Sequence, residues 1–268
     1  MNRIVVTGAA GRMGSQIVSA VLDARDLKMG GATERKGHPS FGKDIGELIG
    51  RGKVGVLLTD RLEAVLPGAS AMIDFTTPEG TIEHLGPAAE NKVPAVIGTT
   101  GFSKDQLEEI RRTSEKIPIV LAPNMSVGVN VLLKVLAVAA KALGDNYDVE
   151  IVEMHHRLKK DAPSGTAIRL AQVVAEALGR DLEKAARYER HGVMEERAAQ
   201  EIGIQTLRGG DVVGDHMVIF AGPGERLEFI HRAHSRGNFA RGAILAARWL
   251  FGRPPGLYDM QDVLGLKQ

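Results

Sequence analysis

A β-branched run, a glycine-rich turn and an apolar run at helical spacing stand in immediate succession at the start of this 268-residue chain. They are Arg3-Ile-Val-Val-Thr7, then Gly8-Ala9-Ala10-Gly11-Arg12-Met13-Gly14, then Ile17, Val18, Val21 and Leu22. Strand, turn and helix in that order make the first half of a dinucleotide-binding βαβ unit. Gly8 lets the chain leave the strand tightly, Gly11 removes a Cβ that would hold a pyrophosphate off the backbone, and Gly14 lets the helix lie against the sheet. The helix N-terminus then faces an anion.

Among 32 glycines a single triplet is weak evidence, so its surroundings matter. A second apolar segment from Leu27 to Ala32 ends at Thr33-Glu34-Arg35. Glu34 falls about twenty residues past the last glycine, where a carboxylate can accept hydrogen bonds from an adenosine ribose. The neighbouring Arg35 can bind a ribose 2′-phosphate that the carboxylate alone would repel, so the pair suits NAD or NADP. The alternative is a solvated Glu and Arg at a strand end.

Hydrophobic residues make up 44% and charged residues 25%, with a formal net charge of +1, which is ordinary for a globular protein and gives no reason to invoke nucleic acid or a membrane surface. The absence of cysteine excludes disulfides, thiolate nucleophiles and cysteine-ligated metals. The chain enters a strand within three residues and no apolar run is expected to approach a membrane span, so the expectation is a cytoplasmic protein.

In order, residues 37–52 read as irregular connection, Val54–Leu58 is a candidate short strand, and Ala71–Phe75 a firmer one. Thr77 caps and Pro78 opens a helix to about Asn91; Pro94–Gly98 is a strand; Ser103 caps a helix from Lys104 to Lys116; Pro118–Ala122 is a strand. Small or polar residues follow every strand, and in a doubly wound sheet these carboxyl ends line the ligand crevice. Gly98-Thr99-Thr100 and Ala122-Pro123-Asn124-Met125 are therefore candidates for the nicotinamide half, or simply βα loops. Val127–Leu143 reads as a buried helix.

After it the texture changes. Tyr147–Met154, Ile202–Leu207, Val212–Phe220 and Leu227–His231 alternate with period two, which predicts a second domain with a mixed, largely antiparallel sheet. The fold class is α/β: a Rossmann-type doubly wound parallel sheet plus an α+β domain. Phe239–Phe251 returns to helix, and Leu257–Leu264 is at most a short amphipathic one.

The strand to Met154 runs straight into His155-His156-Arg157-Leu158-Lys159-Lys160. Two histidines, an arginine and two lysines in six residues make a cationic patch suited to an anion. Ser164-Gly165-Thr166 then opens a helix whose amides and hydroxyls suit a carboxylate or phosphate. Histidine is the usual proton carrier near neutral pH, and a lysine among cations can give up its proton. Adjacent histidines point differently and no carboxylate-rich set accompanies them, which argues against a metal site, while a solvated basic loop stays open as an alternative. Arg208–His216 and His231–Arg236 read as turn and strand-packing residues.

These residues resemble the 4-hydroxy-tetrahydrodipicolinate (dihydrodipicolinate) reductase family over essentially the whole chain. The likeness rests on the glycine loop, Asp74-Phe75, Gly98–Phe102, Ala122–Asn130, Glu153–His156 with Lys159, Asp161–Ala167 and Gly210–His216. The resemblance implies a homotetramer whose subunits carry a dinucleotide-binding domain, residues 1–126 and 237–268, and a substrate-binding and oligomerisation domain, 127–236. It implies NADH- or NADPH-dependent reduction of a cyclic dicarboxylate with loss of water, in lysine and diaminopimelate biosynthesis. By it, His155 is the proton donor or acceptor, Lys159 a proton donor, and His156, Gly165 and Thr166 hold a carboxylate; no metal is implied. The cofactor is expected on Gly8 to Met13, Glu34, Arg35, Gly98 to Thr100 and Ala122 to Met125. Leu158 and Lys160 beside Lys159, and Met125 where an aromatic residue is also common, depart from the family pattern without touching a proton-transfer role. A different two-domain dehydrogenase, or a nucleotide-sensing protein without chemistry, are the competing expectations.

Overall fold

Short apolar runs punctuated by glycine, proline and capping residues alternate with helices through the first 126 residues, the pattern of parallel strands buried on both faces. The structure, a computed structural model, describes residues 1–267. The chain divides into two compact units, residues 1–127 with 236–268, and residues 128–235.

In the first unit the order is β1 (Asn2–Thr7), α1 (Arg12–Asp23), β2 (Leu27–Thr33), α2 (Ile45–Leu48), β3 (Leu58–Thr59), α3 (Leu62–Val65), β4 (Ala71–Asp74), α4 (Pro78–Glu90), β5 (Ala95–Ile97), α5 (Lys104–Ser114) and β6 (Pro118–Leu121). The strands form one sheet in the order β3-β2-β1-β4-β5-β6, so the topological switch point lies between β1 and β4. Fully buried Ile4, Val6, Ile73 and Val96 pack on one side, and Val5, Met72, Ala95 and Ile97 on the other. Burying each such Ile or Val contributes about 1.5–3 kcal/mol.

Local signals set the helix starts. Thr77 accepts from the Gly80 amide at 3.2 Å with Pro78 in the first turn, and Ser103 with Gln106 closes a reciprocal capping box. The region expected to be irregular after Arg35 contains α2, because the Asp44 carboxylate caps it and also ties down the Val54 and Gly55 amides. That ordering leaves only Leu58–Thr59 as strand in the segment expected to begin at Val54.

The second unit begins in α6 (Val127–Leu143), followed by a 3₁₀ turn, β7 (Asp148–His155), α7 (Gly165–Leu178), α8 (Leu182–Ala185), β8 (Ala186–Arg187), β9 (Ile202–Arg208), β10 (Gly214–Gly222) and β11 (Glu225–Ala233). The sheet order is β11-β10-β7-β9-β8, with antiparallel pairs β11–β10 and β10–β7 and parallel pairs β7–β9 and β9–β8. Along β7 the odd positions Val149, Ile151, Glu153 and His155 are buried; the first two pack with Leu136, Leu170 and Val174 of α6 and α7. The even positions Val152 and Met154 share the opposite face with Leu207, Met217 and Ile230, of which Leu207 and Ile230 are exposed.

Two expectations about α6 need correction. The helix is only partly buried: Leu132, Leu136 and Ala140 face the core while Val131, Val135 and Val138 are exposed. An all-round apolar sequence does not specify how many faces will be covered. Residues Val127–Asn146, with mean hydropathy 1.7, are also long and apolar enough by length and composition to cross a membrane, contrary to the expectation that no run comes near.

The chain then returns to the first unit. In α9 (Gly237–Leu250), Ala240, Ala243, Ala247 and Leu250 join the core of that unit, and β12 (Gly256–Tyr258) adds a parallel edge strand beside β6. Three residues are too few to show a strand period, which is why only helix was expected there; α10 (Met260–Val263) is a single turn capped by Asp259.

Candidate active site

In the first unit the glycine loop has the geometry its spacing predicts. Gly8 sits at φ +60°, and a Cβ there would lie 2.8 Å from Thr76 Cγ2. A Cβ on Gly14 would lie 2.0 Å from the Gly8 carbonyl oxygen, so α1 approaches the strand end as no other residue would allow. Gly11 is the N-cap of α1 and brings no capping side chain, and no acidic residue occupies the first turn. The arrangement fits a dinucleotide: a backbone cradle beside a helix N-terminus at the switch point of the sheet.

The other residues expected at the cofactor occupy different settings. Arg12 is exposed and Met13 half-buried, whereas Ala9 is fully buried with its amide donating to Thr33 O at 3.0 Å. Glu34 follows β2, its carboxylate accepting from the Arg35 amide at 3.1 Å, and Arg35 is exposed beside it. Gly98 lies under the Phe75 ring, which a Cβ would meet at 2.2 Å; Thr99 is buried and Thr100 exposed. Ala122 is buried, Pro123 exposed, and Asn124 accepts from the Ser126 amide at 2.8 Å. The Met125 side chain belongs to the core, so a ligand would meet its backbone.

Sequence reasoning noted Asp74 without giving it a task. Its carboxylate is fully buried at the end of β4. Oδ1 accepts from the Thr76 amide (3.0 Å) and from the hydroxyls of Thr76 (2.7 Å), Thr81 (3.0 Å) and Thr99 (3.2 Å), while Oδ2 meets His84 Nδ1 at 2.6 Å. Burial by itself would raise this carboxyl; His84 and the Thr76 donors outweigh it and hold it below the usual aspartate range. One side chain thereby joins the loops after β4 and β5.

The second unit builds a comparable cluster at the end of β7. Strand alternation puts Glu153 and His155 on one face, two residues apart, and Glu153 Oε2 meets His155 Nδ1 at 2.6 Å. The register places Thr206 beside Glu153 and Arg208 beside His155 on β9, and His216 beside Glu153 on β10. Arg208 grips Glu153 with both terminal nitrogens, at 2.9 and 3.0 Å, and also donates to Asp161 O at 2.6 Å. His216 Nε2 lies 3.0 Å from Ser164 Oγ, which caps α7 by accepting from the Ala167 amide at 3.2 Å. The His155 and His216 rings meet edge to face, 5.2 Å between centroids.

Arg208 and His216 were expected to serve turns and packing; they instead complete this cluster. The sequence signal available was Glu-Met-His on an alternating strand, which places a carboxylate and an imidazole side by side. Burial of Glu153 would raise its carboxyl, but Arg208, His155 and the Ser164 amide hold it below the usual range. Burial pushes the His155 imidazole down, an effect Glu153 partly opposes and Lys159 and Arg208 reinforce. His216, more deeply buried and beside His155, is lowered to about 3.

The remaining basic residues divide. Lys159 Nζ is bound by both oxygens of Asp161 at 2.9 Å, so its immediate charged partner is an anion rather than the cations the sequence suggested. His156 is half-buried with its amide on Val212 O at 2.8 Å, while Arg157 and Lys160 are exposed. Gly165 and Thr166 open α7, with nothing within 4 Å of where a Gly165 Cβ would stand.

The profile of the family described as "Dihydrodipicolinate reductase, N-terminus" matches residues 2–125, and that described as "Dihydrodipicolinate reductase, C-terminus" matches residues 128–264. The chain belongs to the dihydrodipicolinate reductase family. Among relatives in this reductase family, a 4-hydroxy-tetrahydrodipicolinate reductase of Syntrophus aciditrophicus is 56% identical over 267 residues and one of Geotalea uraniireducens 54%, each match covering 100% of both chains. A solved dihydrodipicolinate reductase from Paenisporosarcina sp. TG-14, bound to dipicolinate, superposes with a TM-score of 0.76 at 26% identity over 98% of both chains. The Glu153–Arg208 cluster and the loop to Ala167 lie inside the C-terminal family match, and the Asp74 cluster inside the N-terminal one.

Proposed function

We propose that this chain reduces 4-hydroxy-tetrahydrodipicolinate to tetrahydrodipicolinate with loss of water, in the diaminopimelate and lysine pathway, and that it accepts NADH or NADPH. The observation that carries the chemistry is His155: one ring nitrogen is committed to Glu153, within a loop of cationic groups that ends at a helix N-terminus. A dicarboxylate needs cations to bind, and losing water while gaining hydride needs protons moved in both directions. A bound nicotinamide supplies the hydride; the chain supplies the binding and proton steps.

In this reading the substrate carboxylate rests on the Gly165 and Thr166 amides and on His156. Ser164 takes the Ala167 amide as the cap of α7, so the helix opens at the Gly165 and Thr166 pair. His155, kept neutral by burial, takes a ring proton and returns it to the departing hydroxyl, which leaves as water, and Lys159 delivers the proton that the reduced intermediate requires. Asp161 holds the Lys159 ammonium until a substrate carboxylate competes for it. The cofactor is assigned to Gly8–Met13, Glu34, Arg35, Gly98–Thr100 and Ala122–Met125. Glu34 would take the ribose diol and Arg35 a 2′-phosphate, which is what supports dual use.

The reading carries with it a cytoplasmic homotetramer. Support for assembly comes from the second sheet, whose Leu207 and Ile230 are exposed on the face away from α6 and α7. Size-exclusion chromatography with light scattering checks the mass. The deciding experiment for function follows NADH and NADPH oxidation separately with freshly condensed pyruvate and aspartate semialdehyde, with dipicolinate as the probe of the dicarboxylate site. Oxidation of both cofactors, inhibited by dipicolinate, is expected; oxidation of one only would overturn the dual-cofactor reading, and of neither, the reaction. Arg35→Ala should raise the NADPH KM about tenfold while leaving NADH nearly unchanged.

A further inference from the structure

Glu153 is a buried ionisable group to which neither the proton steps nor substrate binding assigns a task, yet its carboxylate meets five hydrogen-bonding atoms. Its Oε1 accepts from the Ser164 amide (2.9 Å), the Thr206 hydroxyl (3.2 Å) and one Arg208 nitrogen (3.0 Å). Its Oε2 accepts from the other Arg208 nitrogen (2.9 Å) and faces His155 Nδ1 (2.6 Å). An amide and a guanidinium are donors only, so the carboxylate can remain fully ionised and the imidazole nitrogen facing it must carry a hydrogen.

We propose that Glu153, clamped by Arg208, is the positioning residue that locks His155 in its Nδ1–H form and so makes Nε2 the atom that exchanges the proton. The proposal rests on the reading of His155 as the proton carrier and says which atom carries it and what selects that atom. Gly214 of β10 lies against Nε2: a Cβ there would stand 2.9 Å from it, so only glycine lets the strand pass this nitrogen without crowding it. Thr206, Arg208 and Ser164 come from β9 and the start of α7, so two elements besides β7 orient the imidazole through one carboxylate. Such a partner also stabilises the imidazolium once the proton has arrived.

The bond count predicts what Glu153→Gln does. Three donors converge on Oε1 and two on Oε2, so the amide oxygen keeps the Oε1 position and the NH₂ takes the other. That NH₂ then donates to His155 Nδ1, and the ring hydrogen moves to Nε2.

The test is long-range ¹H–¹⁵N NMR of the full-length protein with labelled histidine, alongside steady-state kinetics. In wild type the His155 signals should show a protonated Nδ1 and a bare Nε2; in Glu153→Gln the pattern should invert. kcat should fall about 100-fold with KM for the dicarboxylate and NADH affinity changed less than about twofold. A wild-type His155 protonated on Nε2 overturns the proposal without needing any variant to fold, and so does a Glu153→Gln protein whose tautomer is unchanged. His155→Gln separates the two levels: lost turnover with a wild-type Nε2–H signal refutes the Glu153 role alone, whereas normal turnover in His155→Gln removes the proton-carrier reading and this proposal with it.

Discussion

Two buried carboxylates sit at strand ends in this molecule, Asp74 after β4 and Glu153 on β7, and each holds a histidine Nδ1 at 2.6 Å. What surrounds them differs. Asp74 is met by three threonine hydroxyls and one amide, and its His84 keeps about a quarter of its side chain in solvent. Glu153 is met by a bidentate guanidinium, an amide and a single threonine hydroxyl, and its His155 is nearly enclosed. Hydroxyls can turn from donor to acceptor; a guanidinium cannot. The first cluster is thus an adaptable tie between two loops, and the second a rigid device that tolerates one charge state.

The largest expected effect comes from the imidazole itself: His155→Gln should fold, bind NADH and lose about 10³-fold in kcat, read by steady-state rates beside a nucleotide titration. Paired amide substitutions then set the two clusters against each other in urea unfolding. Glu153→Gln turns an NH₂ against Arg208, a donor facing a donor, and should cost about 2–4 kcal/mol. Asp74→Asn keeps its three hydroxyls on the amide oxygen and lets the solvent-accessible His84 change tautomer, so a loss below about 1.5 kcal/mol is expected. Equal losses would erase the distinction between adaptable and rigid.

Acid sharpens it further. His155 and His216 have lowered folded-state pKa values, so the unfolded chain binds more protons and their contribution, complete above about pH 6.5, is lost as pH falls. For His216 the loss extends down to about pH 3. Glu153 and Asp74 are lowered as well, so their contributions hold above about pH 4 and disappear below it. Urea midpoints should therefore fall from pH 7 to pH 5, and His216→Asn should flatten that slope. Smallest is Gly214→Ala, which crowds His155 Nε2 and should lower kcat about tenfold with NADH affinity unchanged.

What could be read from the sequence was what depends on near neighbours. The glycine loop, the Thr77, Ser103 and Ser164 caps and the alternation of β7 are each decided within a few residues, and the structure has them where the spacing put them. The approach of Arg208 to Glu153 depends on β9 lying parallel to β7 in one particular register, a pairing across 55 residues that no local pattern announces. Thr99 reaches Asp74 for the same kind of reason, through the neighbouring of β4 and β5. The exposed valines of α6 show the converse limit: a stripe's composition is visible, but what covers it is decided elsewhere.

The strand Gly256–Tyr258 and helix Gly237–Leu250 complete a unit that began at residue 2. A ribosome making this protein therefore releases every residue of the second unit before the first has its last core helix and its edge strand. Until then the early sheet carries an unpaired β6 edge and an uncovered apolar surface over α1. The units are completed in the reverse of the order in which they begin, and a nascent chain stalled near residue 236 should bind chaperones through its oldest segment rather than its newest.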